Sequence, residues 1–156
     1  MNDHYWSFYT SGDATWNVYG KVDSLINYGT YSTSVFAGLF RDMTKLVDAS
    51  QLILPEDKSS ERCYARMFQG CTSLSATPII PSAVVSSQFT LVSLFANCSN
   101  VNRINVNFTQ WGYNSQGWGW WVDGVSNTGT FVKPEALPNE VSSHYKIPSG
   151  WNVVNK

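Results

Sequence analysis

The side chains best suited to hold a ligand crowd into the stretch TQWGYNSQGWGWW, which carries Trp111, Tyr113, Trp118, Trp120 and Trp121. Tryptophan and tyrosine combine a large flat contact area with few rotatable bonds, so an exposed ring stacks on a sugar or anchors a protein partner. Trp111, Tyr113 and Trp118 stand among Gly, Asn and Gln and are the expected ligand-binding rings. Trp120 and Trp121 open the string WWVDGVS and are expected to pack as part of a cap. A second aromatic set lies near the start: Tyr5, Trp6, Phe8, Tyr9, Trp16 and Tyr19. Strand alternation puts Trp6 and Phe8 on one face and Tyr5 and Tyr9 on the other. Tyr5, Tyr9 and Tyr19 are the expected contacts to a partner, either another copy of the chain or a virion protein.

Constellations for catalysis or metal binding are missing. The sequence has no GxSxG, HExxH, phosphate-binding glycine loop or kinase-like pattern. Glu56, Asp57 and Glu61 cluster beside Lys58 and Arg62 and read as a solvated helix start. A glycosidase needs two carboxylates facing each other across a cleft. Asp42, Asp48 and Asp123 are the only residues held in reserve for that role, and the chain is expected not to be an enzyme. His4 and His144 are far apart and no CxxC pair occurs, so neither metal nor cofactor is expected.

Composition narrows the partner. Only 13% of residues are Asp, Glu, Lys or Arg, and the net charge is -1. A nucleic-acid binder needs a clustered basic face, so no nucleic acid is expected. No run of 18 apolar residues exists to span a membrane. The start, MNDHYWSFYT, lacks the charged end and apolar run of a signal peptide. Three cysteines cannot all pair within the chain; Cys71 and Cys98 read as small buried apolar residues, and Cys63 is off register.

The middle of the chain repeats. Phe40, Phe68 and Phe95 recur 28 and 27 residues apart, and Ser32, Ser60 and Ser87 keep the same intervals. The expected core residues share fixed offsets: Phe40 and Leu46, then Tyr64, Met67, Phe68, Cys71 and Leu74, then Leu94, Phe95 and Cys98. Spacings of three and four predict one face of a short helix, with serine at its start and Gly70 or Asn97 at its end. Beyond it LILP, TPIIP and INVNF predict short strands. The expected fold is an α/β repeat, a short solenoid of helix-turn-strand units over 31–108. Residues 1–30, with HYWSFYT and TWNVYGKV flanking SGDA, are expected as a β-hairpin-like cap or attachment segment. Residues 109–156 are expected as a Trp-rich C-terminal cap.

YARMFQGCTSL with its proline-flanked apolar pair, together with WWVDGVSNTGTFVKP and IPSGWNVV, resembles the BspA-type leucine-rich-repeat-like surface proteins of anaerobic bacteria. The likeness covers about 31–156; Phe40 is followed by RDM rather than a cysteine turn, and Val101 replaces the usual leucine. The resemblance implies a leucine-rich-repeat-like solenoid, an extracellular or cell-surface location, and adhesion to a glycan or protein. It implies no catalytic residues. With no signal peptide in the sequence, the alternative expectation is a phage virion component, such as a fibre, decoration or receptor-binding protein. A polysaccharide-active enzyme is the distant alternative.

Overall fold

The computed structural model describes residues 7–25, 33–56, 61–112 and 118–156. Among these residues six strands follow in order: β1 (Trp16–Lys21), β2 (Leu46–Ile53), β3 (Ile79–Ile80), β4 (Arg103–Val106), β5 (Thr130–Lys133) and β6 (Asn152–Asn155). All pair in parallel. β1 pairs with β2, and β3, β4, β5 and β6 form a four-stranded sheet in chain order. An isolated parallel bridge between Asp48 and Ala76 joins the two sheets into one wall. Parallel neighbours in chain order mean that each coil of chain lies directly on the one before.

The helices expected between the strands do not form. Among the described residues there is no α-helix, only two short 3-10 turns at Val22–Leu25 and Ser82–Ser86. The helix-turn-strand unit is therefore corrected to a turn-run and strand. The hydrogen bonds give the reason. Within one coil the amides of Ala37, Leu39, Arg41 and Met43 donate to the carbonyls three residues back, at Ser34, Phe36, Gly38 and Phe40. The amides between them, on Ser34, Phe36, Gly38, Phe40 and Asp42, donate to Glu61, Cys63, Ala65, Met67 and Gln69 of the next coil at 2.7–3.0 Å. Half the amides thus close turns and half form a ladder between coils, whereas a helix would return every one to its own segment. The same ladder runs from Arg62, Tyr64, Arg66, Phe68 and Gly70 to the third coil, and from Ser93, Phe95 and Asn97 to Gly119, Trp121 and Asp123.

Closing such turns places a left-handed residue at every fourth position. Ser34, Gly38 and Asp42 have φ of 72°, 66° and 59°; Arg62, Arg66 and Gly70 have 58°, 59° and 77°. Phe89, Ser93 and Asn97 continue the pattern at 57°, 54° and 62°, and Trp120 and Gly124 at 61° and 71°. Side chains between them turn inward. Phe8 stacks on Phe40, Phe40 on Phe68 and Phe68 on Phe95, with ring centroids 5.4–5.6 Å apart. Each such pair contributes about 0.5–1.5 kcal/mol beyond area burial. Leu46, Tyr64, Met67, Cys71, Leu74, Leu94 and Cys98 are buried beside these rings. From the opposite wall Ile80, Ile104, Val106 and Phe131 fill the same interior.

The cysteine position has a polar use as well. The Cys71 thiol donates to the Phe40 carbonyl at 3.0 Å, and the Cys98 thiol to the Phe68 carbonyl at 2.9 Å, one coil back each time. All three cysteines are buried. Burial pushes the Cys71 thiol up to about 12 and raises that of Cys98 further.

At the N-terminal end no hairpin forms among the described residues. β1 has its partner in β2, with Trp16 opposite Leu46, and not in the HYWSFYT run. The Phe8 amide donates to the Leu39 carbonyl and its ring stacks on Phe40, so Phe8 lies on the first turn run. At the other end the ladder does not stop near 109. Trp118 and Trp121 take the inward positions that Leu91 and Leu94 hold one coil earlier, and Val122 follows Phe95. Leu137, Ile147 and Trp151 then close the interior, with the Trp151 indole donating to the Ser126 carbonyl at 2.8 Å. Lys133 turns inward there, its Nζ donating to the Leu137 carbonyl at 2.5 Å.

Candidate recognition surface

The sheet and the turn runs present two different outer surfaces. Outward positions on the sheet are mixed: Ile79 and Val154 are aliphatic, Asn105 is polar, and Tyr19 and Arg103 are large and exposed. The outward positions of the turn runs are the left-handed residues themselves, and three of them, Arg62, Arg66 and Trp120, are large and exposed. An L-residue in that conformation costs about 1–2 kcal/mol, and glycine is the residue that avoids the cost. Arg62, Arg66 and Trp120 therefore carry backbone strain that glycine would relieve.

Trp120 is 49% exposed, its ring centroid 4.8 Å from that of His144 and 5.7 Å from that of Tyr145. The His144 Nδ1 lies 2.7 Å from the Asp123 carboxylate, which holds the imidazole in place beside the ring. A broad ring braced on one side, with an imidazole and a carboxylate next to it, can stack on a sugar and bond its hydroxyls.

Trp118, expected as a ligand-binding ring, is corrected to a core residue. It is 5% exposed and packs edge-on against Phe108 and Trp121, at 4.8 and 5.9 Å. Its register under Leu91 turns it inward. Trp111 is half-buried, bonds the Pro138 carbonyl through its indole at 3.0 Å, and meets Phe108 and Trp118. It belongs to this end cluster and not to an exposed platform. Tyr113 and Tyr5 lie outside the described residues. Trp120, expected to pack, is the exposed ring, while its neighbour Trp121 is fully buried. Tyr9 and Tyr19 are 92% and 81% exposed.

The reserve carboxylates do not meet. Asp48 is in β2 and accepts from the Ser50 amide, Asp42 pairs with Arg41 at 3.2 Å, and Asp123 lies three coils beyond Asp42 with His144. No group of three His, Cys, Asp or Glu residues that could hold a metal occurs among the described residues. No helix among them is long and apolar enough to cross a membrane.

A groove of about 680 Å³ also opens on the turn face, lined in part by Tyr9, Gly38, Arg41, Arg62, Arg66 and Phe89. Neither Trp120 nor this groove had a signal in composition alone. Counting the repeat one period past Phe95 would have placed Trp118 inside and Trp120 outside.

No family model matches the chain, and no curated protein or solved structure is similar to it.

Proposed function

We propose that the chain is a non-enzymatic recognition module of a cell surface whose turn face binds a glycan, with Trp120 as the stacking platform. The observation that carries this reading is the exposed Trp120 ring, held at a φ of 61° and braced by His144 and Tyr145. A ring already fixed by its neighbours loses little freedom on binding, which is why preorganised aromatics serve as anchors. Asp123 and His144 supply hydrogen-bonding groups at its edge. The motifs YARMFQGCTSL and WWVDGVSNTGTFVKP, similar to those of bacterial surface adhesins, point the same way.

The test is a printed glycan array probed with the wild-type chain and with Trp120→Ala. The expected result is retention of one group of glycans by the wild type and a loss of tenfold or more in the variant. Binding that survives Trp120→Ala unchanged removes the platform from the site.

A further inference from the structure

We propose that the arginine groove is a second, separate binding site, and that it takes a sugar bearing an anionic group, carboxylate or sulfate, within an acidic polysaccharide. Its argument does not depend on Trp120. The chain contains only four arginines, and three of them, Arg41, Arg62 and Arg66, line this one groove. Asp42 is the single carboxylate residue in the lining. Arg41 is paired with Asp42 at 3.2 Å and Arg62 with Glu61 at 3.8 Å. Among the described residues Arg66 has no ion pair. A guanidinium fork matches the two oxygens of a carboxylate or sulfate, so an unpaired one projecting into a groove is a seat for such a group.

The ladder explains why there is space. Arg66 follows Gly38 in the column of left-handed residues, and glycine at that point leaves the floor beneath the arginine without a side chain. Phe89 lies under Arg62, its ring centroid 5.1 Å from the guanidinium carbon, which orients that charge as well. Arg62, Arg66 and Phe89 all hold a left-handed backbone, with φ of 58°, 59° and 57°. The ladder sets that conformation at each of these positions and glycine would meet it with less strain, so three bulky residues there concentrate strain at one groove. The exposed Tyr9 ring at the rim offers an apolar face to a pyranose. The volume falls within the ~300–1,000 Å³ usual for small-ligand sites. A nucleic acid is the less fitting occupant, because it demands a run of cations along a backbone and the charge here is confined to one groove.

The probes are polygalacturonate for carboxylate, dextran sulfate for sulfate, dextran as the neutral chain and a single-stranded oligonucleotide, each titrated against the wild type at low and moderate salt. Binding to one or both acidic polysaccharides but not to dextran is expected, weakening as salt rises; the tighter of the two identifies the anionic group. Arg66→Gln and Arg62→Gln should each weaken that binding tenfold or more with the circular dichroism spectrum unchanged. Arg66→Lys should recover part of it, and Ile79→Ala on the sheet should leave it intact. Equal binding to dextran, binding to the oligonucleotide alone, or undiminished binding by both glutamine variants overturns the proposal.

Discussion

The sheet wall and the turn wall enclose the same interior yet obey local preference to different degrees. In the sheet, β-branched residues such as Ile104 and Val106 take the extended backbone they favour and face inward. In the turn wall every fourth residue must be left-handed, and the chain meets that demand with glycine at some coils and with Arg, Phe or Trp at others. Where Gly70 follows Asp42 and Gly124 follows Asn97, the alternation is steric. A Cβ on Gly70 would run into the Asp42 carboxylate, and one on Gly124 would come within 3.0 Å of the Asn97 side-chain oxygen. Arg62, Arg66, Phe89 and Trp120 stand where glycine would carry less backbone strain, with Arg62 against Phe89 and Trp120 against His144 and Tyr145. The sheet supplies register, and the turn wall holds outward positions where glycine alternates with large side chains.

Removing a ring from the ladder is the largest insult. Phe68→Ala interrupts the stack between Phe40 and Phe95 and should cost about 3–5 kcal/mol in urea unfolding, against about 0.5–1.5 kcal/mol for Ile104→Val on the sheet side. Equal losses would mean that the turn wall's stacked rings contribute nothing special.

Next comes alkaline pH. Cys71 and Cys98 keep their protons in the fold, while in the unfolded chain they ionise near the ordinary value of 9.0. The native state therefore binds more protons than the unfolded state as pH rises above 9, and stability falls with pH in that window. The decline should reach about 3 kcal/mol by pH 10, from two thiols at about 1.4 kcal/mol each, and flatten in the Cys71→Ala/Cys98→Ala double variant. A flat profile in the wild type would show that these thiols are not buried as described.

A smaller effect separates backbone from contact in the ladder. Gly70→Ala should lose about 1–2 kcal/mol from its left-handed backbone alone, with the contact to Asp42 added. The same substitution in an Asp42→Gly background should lose measurably less. No coupling between the two positions would deny that they stack.

Much of this was legible and some was not, for physical reasons. Phe40, Phe68 and Phe95 announce the coil period, and Gly70 and Asn97 were readable as left-handed positions. The helix was misread because linked turns send side chains inward at the same spacings of three and four as a helix does. The distinguishing sign is Ser34, Gly38 and Asp42, turn-forming residues at four-residue intervals that would each weaken a helix. The N-terminal hairpin was misread because SGDA looks like a local turn, while β1 pairs with a strand one whole coil later. Trp118 and Trp120 exchanged roles because tryptophan and valine replace leucine and phenylalanine in the last turn run. That disguise hid the repeat where it set which ring faces out.

Large residues are held left-handed on the turn wall against local stability. Arg66 tests this most directly, since it is exposed and has no ion pair among the described residues. Equilibrium urea unfolding of Arg66→Gly should show a gain of about 0.5–1 kcal/mol, the relief of backbone strain less the added freedom of the unfolded chain. Stability equal to or below that of the wild type would contradict it.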